Sequence, residues 1–171
     1  MNELLLILIF VFFTLIVVGV MLFIFKYFID NEQKKKILEL KFHSKEIITP
    51  LRLQAYERMA LFLERIDPNQ LLFRVGSSDL TAYQMQTLLL ATIRNEFEHN
   101  LSQQIYISIE TWESIKNAKE KIVNLVNLSA GKLDENASST ELASALLEAV
   151  ADYSPIAGAM EMLKKEVMIL F

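Results

Sequence analysis

Glu96 and His99 are the residues of this sequence whose types and spacing come closest to a chemical site. Residues three apart on a helix lie on the same face, and a Glu-x-x-His pair supplies ligands in carboxylate-bridged di-iron centres. Such a centre also needs a second pair and two further glutamates on facing helices. The other histidine, His43, has Glu39 and Glu46 nearby, but in a different pattern. We therefore expect a polar helix face here, with metal binding through Glu96 and His99 as the alternative.

Other kinds of chemical site find no support in the residues. The chain has no cysteine, which excludes disulfides, thiolate ligands and a thiol nucleophile. No serine stands in a Gly-x-Ser-x-Gly turn, and the glycines at 19, 76, 131 and 158 are too scattered for a phosphate-binding loop. The sequence predicts no catalytic residue, no cofactor and no small-molecule substrate.

The charge distribution disfavours nucleic acid as a partner. Residues 26–66 carry nine Lys and Arg against six Asp and Glu, a net charge of +3, whereas residues 67–171 carry eight against fourteen, a net charge of −6. Surfaces that bind nucleic acids need positive charge to neutralise phosphates. We therefore expect no nucleic-acid partner.

The segment Leu4–Phe25 is long and apolar enough to cross a membrane. Only Thr14 and Gly19 interrupt it, and no charge lies between Glu3 and Lys26. As a helix it would be about 33 Å long, compared with roughly 30 Å for the hydrocarbon core of a bilayer. Its Leu, Ile, Phe and Val residues favour insertion by on the order of 8 kcal/mol. We predict a transmembrane anchor at residues 1–25.

The residues on either side of this segment predict whether it is cleaved and how it is oriented in the membrane. A cleaved signal peptide has a basic start, a shorter apolar stretch and small residues at the cleavage site, and none of these is present. Lys26, Lys34, Lys35 and Lys36 follow the segment while no Lys or Arg precedes it, which places the rest of the chain in the cytoplasm. A second possible role for these four lysines is contact with anionic lipid headgroups. We expect a single-pass protein of the inner membrane with its N-terminus outside.

Residues 26–66 predict an amphipathic helical stalk, because apolar residues recur three or four apart. Ser44 fills a gap in this stripe. Pro50 lacks a backbone donor, so the stretch is either one helix, kinked or closely joined there, or two helices. We favour continuity, since the stripe keeps its phase. The stripe packs either on later helices of the chain or against another chain as a coiled-coil seam. Its apolar members are Ile37, Leu40, Ile47, Ile48, Leu51, Ala55, Met59, Phe62 and Ile66.

Residues 67–171 predict a domain of about five helices, so the fold class is all-α. Thr81 and Gln84 match a capping box, and Ser108 and Thr140 are expected to cap later helices. Residues 129–139 are small and polar, which predicts a long exposed loop. The predicted helices lie at about 68–75, 82–99, 109–128, 140–152 and 155–170.

Two of these helices are expected to supply much of the core. The helix that begins at Ala82 is apolar on most sides of its first turns, which is typical of a buried helix. Trp112 stands at helical spacing from Ile109 and Ile115, so we expect all three on one packed face.

The run LRLQAYERMALFLERI, followed by NEFEHNLSQQIYIS and Trp112, resembles a family of small bacterial membrane proteins of unknown function. The resemblance covers most of the chain. It implies a bacterial inner membrane and an N-terminal anchor, and it supplies no activity or site residue.

Together these features favour an interaction or scaffold protein at the cytoplasmic face of a bacterial inner membrane. We expect contact with membrane lipids and either a protein partner or self-association. The alternative is a metal-binding or enzymatic helical domain that uses Glu96 and His99.

Overall fold

Most of the part of the chain that the structure describes is helical. The structure, a computed structural model, describes residues 2–170, except for the side chains at positions 2, 4, 6, 41, 44, 45 and 170. Within these residues there is no strand, and the predicted all-α fold is confirmed. The helices are α1 (Asn2–Ile66), α2 (Pro68–Val75), α3 (Ala82–Asn100), a 3₁₀ helix (Leu101–Ile105), α4 (Ile109–Ala130), α5 (Ser139–Ala149) and α6 (Ala157–Leu170).

Helix α1 includes both the predicted anchor and the predicted stalk. It is continuous from Asn2 to Ile66 with Pro50 inside it, in agreement with the expected continuity at the proline. The chain divides into two compact units, with the boundary between Thr49 and Pro50. The second unit, called the helical domain below, therefore begins within the predicted stalk and includes the end of α1.

The first unit contains the one described helix that is long and apolar enough to cross a membrane. This stretch, Ile7–Leu40, has a mean hydropathy of 3.2 in an 18-residue window, none of which is buried. Its large apolar side chains are exposed to between 38% at Ile29 and 73% at Phe23. Length and composition thus fit the anchor expected at Leu4–Phe25, although the Leu4 side chain lies outside the described part.

The apolar stripe of α1 divides into exposed and packed positions. Ile37 and Leu40 are 54% and 67% exposed, whereas Met59 and Phe62 are each 1% exposed. Ser44, which fills the gap in the stripe, lies outside the described side chains. The C-terminal end of the stripe therefore packs on later helices of the chain, which is one of the two predicted alternatives.

The core of the helical domain lies between the end of α1 and helices α3 to α6. Helix α4 packs against α3, α5 and α6, and α3 also packs against α5. Three aromatic rings join α1, α3 and α4, since Phe62 lies 5.8 Å from Phe97 and Phe97 lies 5.5 Å from Trp112 between ring centroids. Trp112 is 7% exposed, which confirms its predicted place in the core.

Two predictions about helix faces are wrong. Helix α3 buries one face, through residues such as Met85 and Leu89, while Tyr83 is 74% exposed. Of its other apolar residues, Leu90 still packs against the core, whereas Leu88 is 38% exposed. Ile109 is 77% exposed, because at 3.6 residues per turn it lies about 120° around α4 from the buried Ile115.

The predicted caps are confirmed at Thr81 and Ser108, but Thr140 is not a cap. Helix α5 begins at Ser139, and its N-cap is Ser138, two residues before the predicted cap. The reason is local, because Ser138 forms a capping box with Glu141, whereas Thr140 has no acidic residue or glutamine three positions later.

The segment between α4 and α5 is partly buried, which corrects the prediction of a fully exposed loop. Helix α4 continues to Ala130, and Ala137 is 7% exposed. The Ala82 N–H donates to the Ala137 carbonyl at 2.9 Å, and the Ser139 N–H donates to the Leu80 carbonyl at 3.1 Å. These bonds fasten the start of α5 to the start of α3.

Candidate functional site

Glu96 is the centre of an ion-pair cluster that joins three helices. Its Oε2 lies 3.1 Å from Nη1 of Arg65 on α1, and its Oε1 lies 3.2 Å from Nη1 of Arg74 on α2. The Glu96 side chain is only 18% exposed. Hydrogen bonds between ionised groups are stronger than neutral ones, so this carboxylate holds α1, α2 and α3 together.

His99 lies one turn further along α3 and contacts its own helix. Its Nδ1 is 2.7 Å from the carbonyl oxygen of Asn95. A proton on Nδ1 satisfies this contact and leaves Nε2 able to accept a hydrogen bond. Glu96 and His99 line the same surface groove, so the structure brings the two predicted candidates to one place.

The ion pairs of Glu96 limit what this pair can do with a metal. Both carboxylate oxygens already face guanidinium groups, whose positive charges oppose a bound cation. Within the described residues, no three His, Asp or Glu side chains are grouped to hold a metal ion. Metal binding through Glu96 and His99 therefore stays a prediction.

Two adjoining grooves lie beside the Glu96 ion pairs, and both are lined by Leu61 and Arg65. The first has a volume of about 560 Å³, lies between α1 and α3, and includes Arg58. The second has a volume of about 530 Å³, lies between α1 and α2, and includes Phe73 and Arg74. We call Arg58, Leu61, Arg65, Phe73 and Arg74 the arginine face.

The four lysines that the sequence singles out lie in the first unit. Lys26, Lys34, Lys35 and Lys36 are exposed on α1, directly after the apolar segment. Their exposure is compatible with either predicted role, the setting of topology or contact with lipid headgroups. Both roles stay predictions.

A second polar cluster, not anticipated from the sequence, surrounds Glu166 on α6. Its Oε1 accepts hydrogen bonds from the Ser108 N–H at 2.9 Å and from the Tyr56 hydroxyl at 2.9 Å. Its Oε2 accepts from Ser108 Oγ at 2.7 Å, and Arg52 Nη2 lies 3.4 Å from Oε1. With Thr111, whose hydroxyl lies 3.1 Å from Ser108 Oγ, these residues form the Glu166 cluster.

The Glu166 cluster connects α6 with α1 and with the start of α4. Ser108 is the N-cap of α4, so the carboxylate lies at the positive end of that helix. Arg52 Nε also donates to the Tyr106 carbonyl at 3.1 Å, just before the cap. The Glu166 side chain is 13% exposed, and the charge is therefore held largely by protein groups.

The hydrogen bonds decide the ionisation of this cluster. Burial raises the pKa of Glu166, but the bonds from Thr111, Ser108 and Tyr56 outweigh it, so the net pKa lies below its ordinary value of 4.5. Burial, together with the hydrogen bond to Glu166, raises the pKa of Tyr56 to about 12. At neutral pH the carboxylate is ionised and the phenol is neutral, which suits a structural tie rather than proton transfer.

Two features of the sequence concealed this cluster. Glu166 follows Lys164 and Lys165, a run that is typical of a solvated helix face. Its partners Tyr56 and Ser108 lie 110 and 58 positions away, so no local spacing points to them. Only the Ser108 cap, which the sequence does predict, marks one end of the interaction.

Comparison with known proteins identifies the family of this chain. No curated protein and no solved structure matches the chain. A family model described as "Family of unknown function (DUF7935)" matches residues 2–170. This is nearly the whole chain, and the protein therefore belongs to the DUF7935 family.

Proposed function

We propose that this protein is a membrane-anchored interaction protein, with a helical domain that binds a partner at the cytoplasmic face of a bacterial inner membrane. The observation that carries the proposal is the apolar stretch of α1, whose side chains have no packing partner in the described chain. Lipid is the environment that such a helix matches in length and polarity.

The orientation rests on charge. Lys26, Lys34, Lys35 and Lys36 follow the apolar segment, and no Lys or Arg precedes it. Positive residues near the ends of a span stay preferentially in the cytoplasm. This charge asymmetry supports a cytoplasmic helical domain, and the resemblance to small bacterial membrane proteins supports a bacterial inner membrane.

The interaction role rests on large apolar side chains that the helical domain leaves to solvent. Phe73 is 91% exposed and Leu61 is 62% exposed, although the same domain buries other large side chains, such as Met59, Phe62 and Leu89, in its core. Grouped exposed apolar residues are typical of surfaces that bind another protein. Leu61 and Phe73 line one groove and form such a group.

Topology reporters test the anchor and its direction. A fluorescent protein fused after Phe171 should fluoresce in cells, and alkaline phosphatase at the same position should be inactive, because the first matures in the cytoplasm and the second outside it. A matched variant with Lys26, Lys34, Lys35 and Lys36 changed to asparagine, and with three lysines inserted before Leu4, should reverse both signals. Phosphatase activity from the unmodified chain would contradict the orientation.

Crosslinking in cells tests the interaction role. Lysine-reactive crosslinking followed by mass spectrometry should join the helical domain to a specific protein or to further copies of the chain. A control with residues 1–49 fused to an unrelated soluble domain keeps the anchor and should lose those products. The role is refuted if the full chain is crosslinked only as a monomer and to the same proteins as the control.

A further inference from the structure

The arginine face combines three cations with two exposed apolar side chains. Arg58 and Arg65 are seven residues apart on α1, which is about two turns, so they lie on the same side of the helix. Leu61 lies between them, and α2 contributes Phe73 and Arg74 to the adjoining groove.

The charges of this face are not balanced within the chain. Arg65 and Arg74 share the single carboxylate of Glu96, and in the described contacts Arg58 has no ion pair or side-chain hydrogen bond. Glu64 is the other acidic residue that lines these grooves. Three guanidinium groups against two carboxylates leave a net positive charge.

This positive face belongs to an otherwise acidic domain, since residues 50–171 carry eleven Lys and Arg against sixteen Asp and Glu, a net charge of −5. An acidic ligand is therefore repelled by most of the surface and attracted at this point. Complementary charge of this kind guides encounter and selects the correct partner more than it adds affinity. The first groove also offers the Asn95 side chain and the free Nε2 of His99 as polar partners.

The apolar residues indicate that the ligand is more than a small anion. Phe73 and Leu61 are 91% and 62% exposed, and aromatic anchors supply much of the energy of protein interfaces. Both line concave grooves, which suit an inserted side chain better than a flat lipid surface. The two adjoining volumes of about 560 and 530 Å³ have room for several residues of a peptide.

We infer that the arginine face binds an acidic segment of a partner protein, with a ligand carboxylate at Arg58 and an apolar ligand side chain between Leu61 and Phe73. This inference rests on the proposed function, because it names the surface and the chemistry of the partner.

Peptide selection tests the chemistry of the ligand. Random 12-residue peptides displayed on phage are selected on the full chain in nanodiscs of uncharged lipid, after removal of peptides that bind empty nanodiscs. Selected peptides should combine Asp or Glu with Phe, Leu or Ile. The strongest of them is then synthesised with a fluorescent label, together with a copy in which Asn and Gln replace Asp and Glu, and the Kd of each is measured.

Substitutions then locate the binding surface. Arg58→Glu and Phe73→Ser should each raise the Kd at least about fivefold, the effect expected for a central contact. Arg94→Glu and Tyr83→Ser are matched controls, because both residues are exposed on α3 and neither lines these grooves, and they should leave the Kd unchanged. The fluorescence of Trp112 confirms that each variant is folded.

Each other result overturns the inference. The surface is not an acidic-peptide site if selection yields no peptides or yields peptides without acidic residues. The same holds if Arg58→Glu and Phe73→Ser do not weaken the binding of the selected peptides. If no peptide is selected and the same two variants lose binding to vesicles that contain phosphatidylglycerol, the face binds lipid instead. Crosslinking of two copies through position 73 would assign it to self-association. The proposed function is tested by a different experiment. It is wrong if crosslinking in cells joins the helical domain neither to a specific protein nor to another copy of the chain.

Discussion

Replacing Glu166 by glutamine removes the charge of the Glu166 cluster and keeps the size of the side chain. The glutamine carbonyl can still accept from the Ser108 N–H and the Tyr56 hydroxyl, but as a neutral acceptor. Its amide nitrogen cannot accept from Ser108 Oγ, which now donates to Oε2 at 2.7 Å. The ion pair with Arg52 is lost as well.

The expected cost follows from these bonds. Hydrogen bonds to a charged group contribute about 1.5–3 kcal/mol and neutral ones about 1 kcal/mol. Two weakened bonds and one lost bond sum to at least about 2.5 kcal/mol. Because contacts of one carboxylate are not additive, we expect a loss near this lower bound, about 2–3 kcal/mol in the free energy of unfolding, at a site that is 13% exposed. For a helical domain of about 120 residues, that corresponds to a fall in Tm of roughly 8–12 °C.

The cost should depend on pH in a defined direction. Because the pKa of Glu166 is lowered in the folded state, the folded protein binds fewer protons there than the unfolded chain. The stabilisation by Glu166 is therefore complete above its ordinary pKa of 4.5 and disappears as the pH falls through the lower folded-state value. The difference between the wild type and Glu166→Gln should be constant from pH 5.5 to 8 and should shrink below pH 4.5.

Trp112 provides the assay. It is the single tryptophan of the chain and lies in the core of the helical domain, so its fluorescence reports unfolding of that domain and not of the anchor. Urea titrations of the full chain in nanodiscs at pH 7, 5.5, 4 and 3 give the free energy of unfolding at each pH.

Glu161→Gln is the matched control, because Glu161 lies on the same helix and forms an exposed pair with Lys165. Exposed pairs contribute little, and this variant should unfold like the wild type. The reasoning is refuted if Glu166→Gln is as stable as the control at pH 7. It is equally refuted if the deficit at pH 7 persists in full at pH 3.

Three further substitutions test the cluster, the cap and the core. Tyr56→Phe should destabilise the helical domain by about 1.5–3 kcal/mol, because its hydroxyl donates to the ionised Glu166; because the pKa of Tyr56 is raised to about 12, its contribution is complete below pH 10 and is lost as the pH rises towards 12, which a urea titration series across that range checks. Ser138→Ala should cost about 1 kcal/mol through loss of the N-cap of α5, whereas Thr140→Ala should cost clearly less in the same urea titration. Leu89→Ala, at a fully buried position of α3, should cost about 2–5 kcal/mol, and thermal unfolding that shows no loss of stability would place Leu89 outside the core.

Local rules accounted for the helices and for most of their ends. Capping residues act within one turn, so Thr81 and Ser108 could be assigned from neighbouring residues alone. The same rules contain the correct answer for α5, because Ser138 and Glu141 match a capping box that competes with Thr140. The face of each helix was less certain, since apolar residues such as Tyr83 and Ile109 can lie outside the packed stripe.

Burial of the segment between α4 and α5 depended on contacts that local rules do not contain. Small polar residues predict an exposed loop, but the backbone of Ala137 and Ser139 pairs with that of Ala82 and Leu80 more than 50 positions earlier. A chain segment can satisfy its backbone groups through such pairing and become buried.

The two polar clusters show which features can be inferred from the sequence and which depend on the tertiary structure. The sequence by itself determined that Glu96 and His99 share a helix face, that Leu4–Phe25 has the length and polarity of a membrane span, and that the rest of the chain is helical, because each depends on residues close together in the chain. Only the tertiary structure decided that Glu96 faces two arginines and that Glu166 is held by Ser108 and Tyr56, because electrostatic partners are fixed by distance in space.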